Sequence, residues 1–119
     1  MQVSVAEKRV KYYIRRIKKL IEEEKKALKP NMVLIIRARP VDFWCSDLGY
    51  HFDAMIYLGP NNRAKIFGTG FHCSWAKAIE VEDWEAAIAW LAKWMAERPG
   101  YRWSLTADTD FAYLYFPDF

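Results

Sequence analysis

No run in this chain is apolar for long enough to cross a membrane, and cysteine is nearly missing, with only Cys45 and Cys73 present. Two thiols cannot build the disulfide framework of a small secreted domain, so the core must hold by packing. Histidine is equally scarce, and His51 and His72 alone give no basis for a Ser-His-Asp or Cys-His arrangement. These four residues are of zinc-ligand type, yet their spacing matches no standard zinc pattern; no metal, cofactor or catalytic residue is expected. A phosphate-binding loop is missing too, because Gly68-Thr69-Gly70 lacks the Lys-Ser or Lys-Thr that should follow. Amides are few, one Gln and three Asn beside abundant Lys, Glu and Arg, a balance typical of proteins from hot environments. The N-terminus, with Glu7 among Lys8, Arg9 and Lys11 and no apolar centre, does not read as a signal peptide. A cytoplasmic protein is expected.

Apolar and aromatic residues are plentiful. Over 119 residues, a 53% hydrophobic and 17% aromatic composition predicts one folded domain spanning 1–119. Three segments alternate with period two, the signature of strands that bury one face: Val33 to Arg39, His51 to Gly59 and Arg63 to Thr69. Leu34, Ile36, Ala38, Phe52, Ala54, Ile56, Leu58, Ala64 and Ile66 fall on the apolar side. Gly59, Pro60, Asn61 and Asn62 suit a tight reversal between the second and third strands. Pro40 to Tyr50 reads as a loop carrying Phe43 and Trp44. In the tail, Tyr101 to Leu105 and Phe111 to Phe116 alternate again, predicting one or two further strands.

Two segments have helical spacing instead. From Val5 to Leu28, Val10, Tyr13, Ile14, Ile17, Leu20 and Ile21 form one stripe; its polar side is basic first (Lys8, Arg9, Lys11, Arg15, Arg16, Lys18, Lys19) and acidic later (Glu22 to Glu24). Cations at a helix start oppose the macrodipole, so local helix stability does not explain that order. From Glu82 to Arg98, Trp84, Ala87, Ile88, Leu91, Trp94 and Met95 form a stripe that Ala86, Ala89, Trp90, Ala92 and Ala96 widen almost all round. A helix this apolar is sandwiched or lies in an interface, and a homodimer is expected. The predicted fold class is α+β, an antiparallel sheet of four to five strands with two helices on one face, in the order α-β-β-β-α-β(-β).

The other sheet face would then carry Arg37, Arg39, Tyr57, Arg63, Lys65, Phe67, Tyr113 and Tyr115. On the three mapped strands only Asp53 opposes the four cations, although the whole chain has a net charge of only +3. Cations meet phosphates and rings stack on bases, so this face, with Trp44 from the loop, predicts largely sequence-independent binding of single-stranded nucleic acid. DNA is the expected partner and RNA the alternative, because the sequence gives no reading of a 2′-hydroxyl by which to choose between them.

A small, basic, aromatic-rich domain of thermophilic character, with the run Gly68-Thr69-Gly70-Phe71-His72-Cys73-Ser74-Trp75, resembles the archaeal ThermoDBP-type single-stranded DNA-binding proteins. That resemblance implies an aromatic and basic cleft that holds the strand without an OB-fold, in a non-enzymatic protein. A second likeness is to replication initiators of the HUH class, through His51-Phe52-Asp53 and the later Trp90-Leu91-Ala92-Lys93. Asp53 stands where that class has its second metal-binding histidine, and Trp90 where it has its nucleophilic tyrosine. Indole cannot attack DNA, so this alternative implies an inactivated initiator-like domain that keeps strand binding. The remaining alternative is a protein-interaction module working through the apolar second helix.

Overall fold

The structure is a computed structural model, described over residues 4–41, 53–67 and 78–119. Helix α1 (Val5–Glu24) opens with Ser4, whose hydroxyl accepts from the Glu7 backbone N–H, and closes in a short 3-10 turn over Lys25–Ala27. Strands β1 (Met32–Pro40), β2 (Ala54–Leu58) and β3 (Ala64–Phe67) follow, then β4 (Ile79–Val81), α2 (Trp84–Ala96) and β5 (Trp103–Phe111). All pairings are antiparallel and the strand order is β4-β3-β2-β1-β5. The fold is α+β, two helices on one face of a five-stranded sheet.

The period-two reading holds over β1, β2 and β3, while His51, Phe52, Gly68 and Thr69 at the ends of the expected strands lie outside the described residues. Leu34, Ile36, Ala38, Ala54, Ile56, Leu58, Ala64 and Ile66 are all buried, together with Ile17 and Ile21 of α1 and Ile88, Leu91 and Met95 of α2. Each fully buried Leu or Ile contributes about 1.5–3 kcal/mol, so this interlayer is the main stabilising block. The reversal after β2 is also as expected. Asn61 and Asn62 take φ of 57° and 62°, where their short amides are tolerated better than most side chains.

Three features differ from the expectations. Strand β4 was not foreseen, because three residues are too short to show a period. Strand β5 runs unbroken through Thr106 to Asp110, the stretch between the two alternating tail segments; pairing with β1 along all nine residues makes it strand. Finally, Phe111 to Phe116 does not form a further strand. The chain turns into a 3-10 helix at Ala112–Leu114 and folds back over the sheet face opposite the helices.

That return covers part of the face expected to be open. Val33, Tyr57, Ala112 and Phe116 form a second buried cluster, with Ile35, Met55, Phe67 and Tyr115 packed against it. Phe116 is fully buried. Its ring lies where a Cβ on Gly59 would come within 2.5 Å, so this glycine is required by space and not by its backbone angle of −96°.

Candidate nucleic-acid interface

The register arranges the second sheet face in rows. Ser104, Arg39 and Asp53 lie towards the end where β1 stops and β5 begins; next come Thr106, Arg37, Met55 and Phe67, then Asp108, Ile35, Tyr57, Lys65 and Glu80. The expected site therefore divides in two.

In the half nearer the Gly59–Asn62 reversal, the C-terminal segment occupies the site. Tyr57 is 6% exposed, stacked on Phe67 (centroids 5.7 Å apart, 20° between planes) and tilted against Tyr115 at 4.7 Å. Arg63 donates to Asp118 and to Glu80, each at 2.8 Å, and Lys65 donates to the Tyr115 backbone carbonyl. Both cations also lie over the Phe116 ring. The Tyr115 hydroxyl donates to Asp110 at 3.0 Å. Burial first, then Tyr115, pushes the Tyr57 phenol up to about 12. The hydrogen bond from Arg63 holds the Asp118 carboxyl below its ordinary range. Tyr57, Arg63, Lys65 and Tyr115 are thus engaged within the chain, which corrects the expectation of a uniformly open face. Its cation excess is corrected too, since Glu80, Asp108, Asp110 and Asp118 join Asp53 here.

The other half keeps a cation excess among the described residues. Arg37 and Arg39, two residues apart and so on one face, converge on the single carboxylate of Asp53 at 3.6 and 3.4 Å. Asp53 is 8% exposed, while both arginine side chains keep more than 40% of their surface in water. Among the described residues Asp53 is the one carboxylate paired with these two guanidiniums, and one carboxylate cannot neutralise both. Phe67, half-buried, stands in the Arg37 row two strands away, roughly 10 Å at normal strand spacing.

Around the sheet edge at this end the cationic and aromatic character continues through residues that periodicity did not single out for the site. Tyr101, 39% exposed, packs on Trp103 at 5.7 Å, and the adjacent Arg102 is exposed. Tyr12 is 48% exposed, with the Arg16 guanidinium 5.7 Å from its ring centre. The spacing of Tyr12 and Arg16, four residues apart on a helix, was the signal available in the sequence. Arg16 also donates to the Trp103 carbonyl, tying α1 to the start of β5.

Part of the order of charges along α1 has a tertiary cause. Arg9 donates to the Ala96 carbonyl at the end of α2, and Arg98 donates to the Trp94 carbonyl, so cations gather at the negative end of the α2 dipole. Lys18 pairs with Glu85 near the α2 start at 3.2 Å, fixing the two helices antiparallel.

Tyr113 is 57% exposed and stacks on Phe111 at 5.6 Å, but it lies at the opposite end of the sheet. Phe111 pairs with Met32, seven residues along β1 from Arg39, or about 23 Å. Trp44, Cys45, His51, His72, Cys73 and the Gly68-to-Trp75 run lie outside the described residues. Among the described residues no cluster of His, Cys, Asp or Glu could hold a metal ion, and no helix is long and apolar enough to cross a membrane. Asp53, the position aligned with a metal-binding histidine, has its carboxylate between two guanidiniums, which compete with any cation. Comparison of the chain with protein-family models, curated proteins and solved structures finds no match.

Proposed function

We propose that this protein binds single-stranded nucleic acid, DNA in the first instance, without catalysis and with little base preference, at the sheet end that carries Arg37 and Arg39. The observation that supports this reading most is the pair of guanidiniums sharing one carboxylate, half in water, on a face with a stacking ring in the same row. A phosphate entering there gains two charge-assisted donors, and Asp53 holds both arginines in place before it arrives. Phe67 offers a ring on one side, and Tyr101 and Tyr12 offer rings around the edge, where Arg102 and Arg16 supply further charge. Each stacked base contributes about 1–3 kcal/mol whatever its identity. Arg63, Lys65, Tyr57 and Tyr115 act differently, holding the C-terminal segment against the sheet.

The test is a titration with oligo(dT), read by quenching of intrinsic Trp and Tyr fluorescence. Arg37→Ala with Arg39→Ala should weaken binding to all sequences alike, while Arg63→Ala should leave it nearly unchanged. Duplex DNA should bind more weakly than a single strand. The absence of quenching at low salt would end this reading, and equal losses from Arg63→Ala and the Arg37/Arg39 pair would move the site.

A further inference from the structure

The outer surface of the helical layer, away from the sheet, carries an apolar groove of about 580 Å³ between α1 and α2. Its floor is Ala6, Val10, Ile14, Ala89 and Ala96, and its rim is charged in a specific order. The antiparallel contacts Arg9 to Ala96 and Lys18 to Glu85 set the levels of the two helices. Glu7 of α1 therefore lies across the groove from Glu97 of α2, and one turn further along Lys11 lies across from Lys93. The rim is an acidic row beside a basic row. Among the described residues Glu7, Lys11 and Lys93 have no ion-pair partner, and Glu97 has only a 3.9 Å contact with Arg98.

We infer that this groove is the interface of a homodimer whose two-fold axis runs across both helices, between the acidic and the basic row. An isologous interface brings a patch against itself, so it must be self-complementary. Rotation about an axis across the helices places Glu7 opposite Lys11 of the second copy and Glu97 opposite Lys93 of the second copy, giving four opposed pairs. Rotation about an axis along the groove would put acid on acid and base on base, which is repulsive. The charges thus select one geometry, in which α1 and α2 of one copy run antiparallel to their counterparts. Val10, the floor residue closest to the axis, packs against its own copy. Both sheet faces point outward, leaving Arg37 and Arg39 of each copy accessible, so the dimer does not depend on the strand-binding reading.

Sedimentation equilibrium of the full chain without nucleic acid tests this. The wild type should reach twice the 14.1 kDa chain mass as concentration rises. Ala89→Arg, at an exposed floor position, and Lys93→Glu, which sets acid against acid, should each weaken association by about tenfold or more. Lys93→Glu combined with Glu97→Lys exchanges the two rows on α2 and should restore it. Circular dichroism melting checks that each variant is folded. A wild type that stays monomeric throughout, a dimer indifferent to Ala89→Arg, or a double exchange no better than Lys93→Glu alone would overturn the proposal.

Discussion

Asp53, Tyr57 and Gly59 lie within seven residues of one another, yet each owes its place to a different force. Asp53 balances Arg37 and Arg39, and both arginines remain half in water. Asp53→Asn should therefore cost only about 1 kcal/mol of stability, as for a solvent-screened pair, while releasing two guanidiniums. Denaturant melts would show the small loss, and binding to oligo(dT) should tighten in the same variant, because removing the competing carboxylate outweighs the loss of its hold on the two arginines. Gly59 leaves room for the Phe116 ring, which a Cβ would strike at 2.5 Å. Phe116→Ala should cost about 3–5 kcal/mol as a buried ring removed. Gly59→Ala should also destabilise, and combining the two should cost less than their sum, because the smaller side chain vacates the space the new methyl needs. Tyr57 ionises near 12, so the folded chain holds its proton more tightly than the unfolded chain does. The resulting stabilisation is complete below the ordinary phenol value of about 10 and is lost as pH rises through 12. Absorbance titration against a stability profile over that window checks the sign.

At the scale of elements, the C-terminal return decides which part of the sheet face is usable. It is held by Phe116 in its socket, by Lys65 on the Tyr115 carbonyl and by Arg63 on Asp118. The Asp118 carboxyl, held low by Arg63, supports the return above its ordinary range and loses that support as pH falls through the lowered value. Arg63→Ala should speed hydrogen exchange in residues 112–119 at neutral pH without unfolding the sheet. The alternations of β1, β2 and β3 were legible because each buries one face against helices, and burial imposes period two. The stripes of α1 and α2 were legible for the same reason. What could not be read was what lies over the other face. Tyr113 and Tyr115 fit a strand pattern equally well, and only contact with Val33 and Tyr57 makes the chain turn at Ala112 instead. Likewise Asp108 and Asp110 resemble turn residues until β1 supplies them with a nine-residue partner. Of the expected site, the Arg37 and Arg39 pair was legible from spacing alone. Its neighbours Tyr101, Arg102, Tyr12 and Arg16 come from elements remote in sequence and needed the fold.

For the whole molecule, the proposed strand binding follows from how charge is distributed over a nearly balanced chain. Cations collect where α1 begins, α2 ends and β5 starts, partly to meet the terminal carbonyls of α2. The reversal at Gly59–Asn62, the start of α2 and the end of α1 carry Glu22 to Glu24, Glu82, Asp83 and Glu85 interleaved with Lys25, Lys26, Lys29 and Arg63. A polyanion would be drawn to the first end, so in the proposed binding a chain with a net charge of only +3 would still orient a strand. Homodimerisation through the helical groove would present two such ends, so long oligonucleotides should bind more tightly than ones that reach a single site. The most direct measurement is the affinity for fluorescent oligo(dT) across a salt series, for the wild type and for Arg37→Ala with Arg39→Ala. The account predicts a linear fall of log affinity with log salt in the wild type. The double variant should bind more weakly, with a slope shallower by about 1.4, the loss of two phosphate contacts on a single strand. Equal affinities and slopes for the two proteins, or no binding by either at low salt, would contradict it.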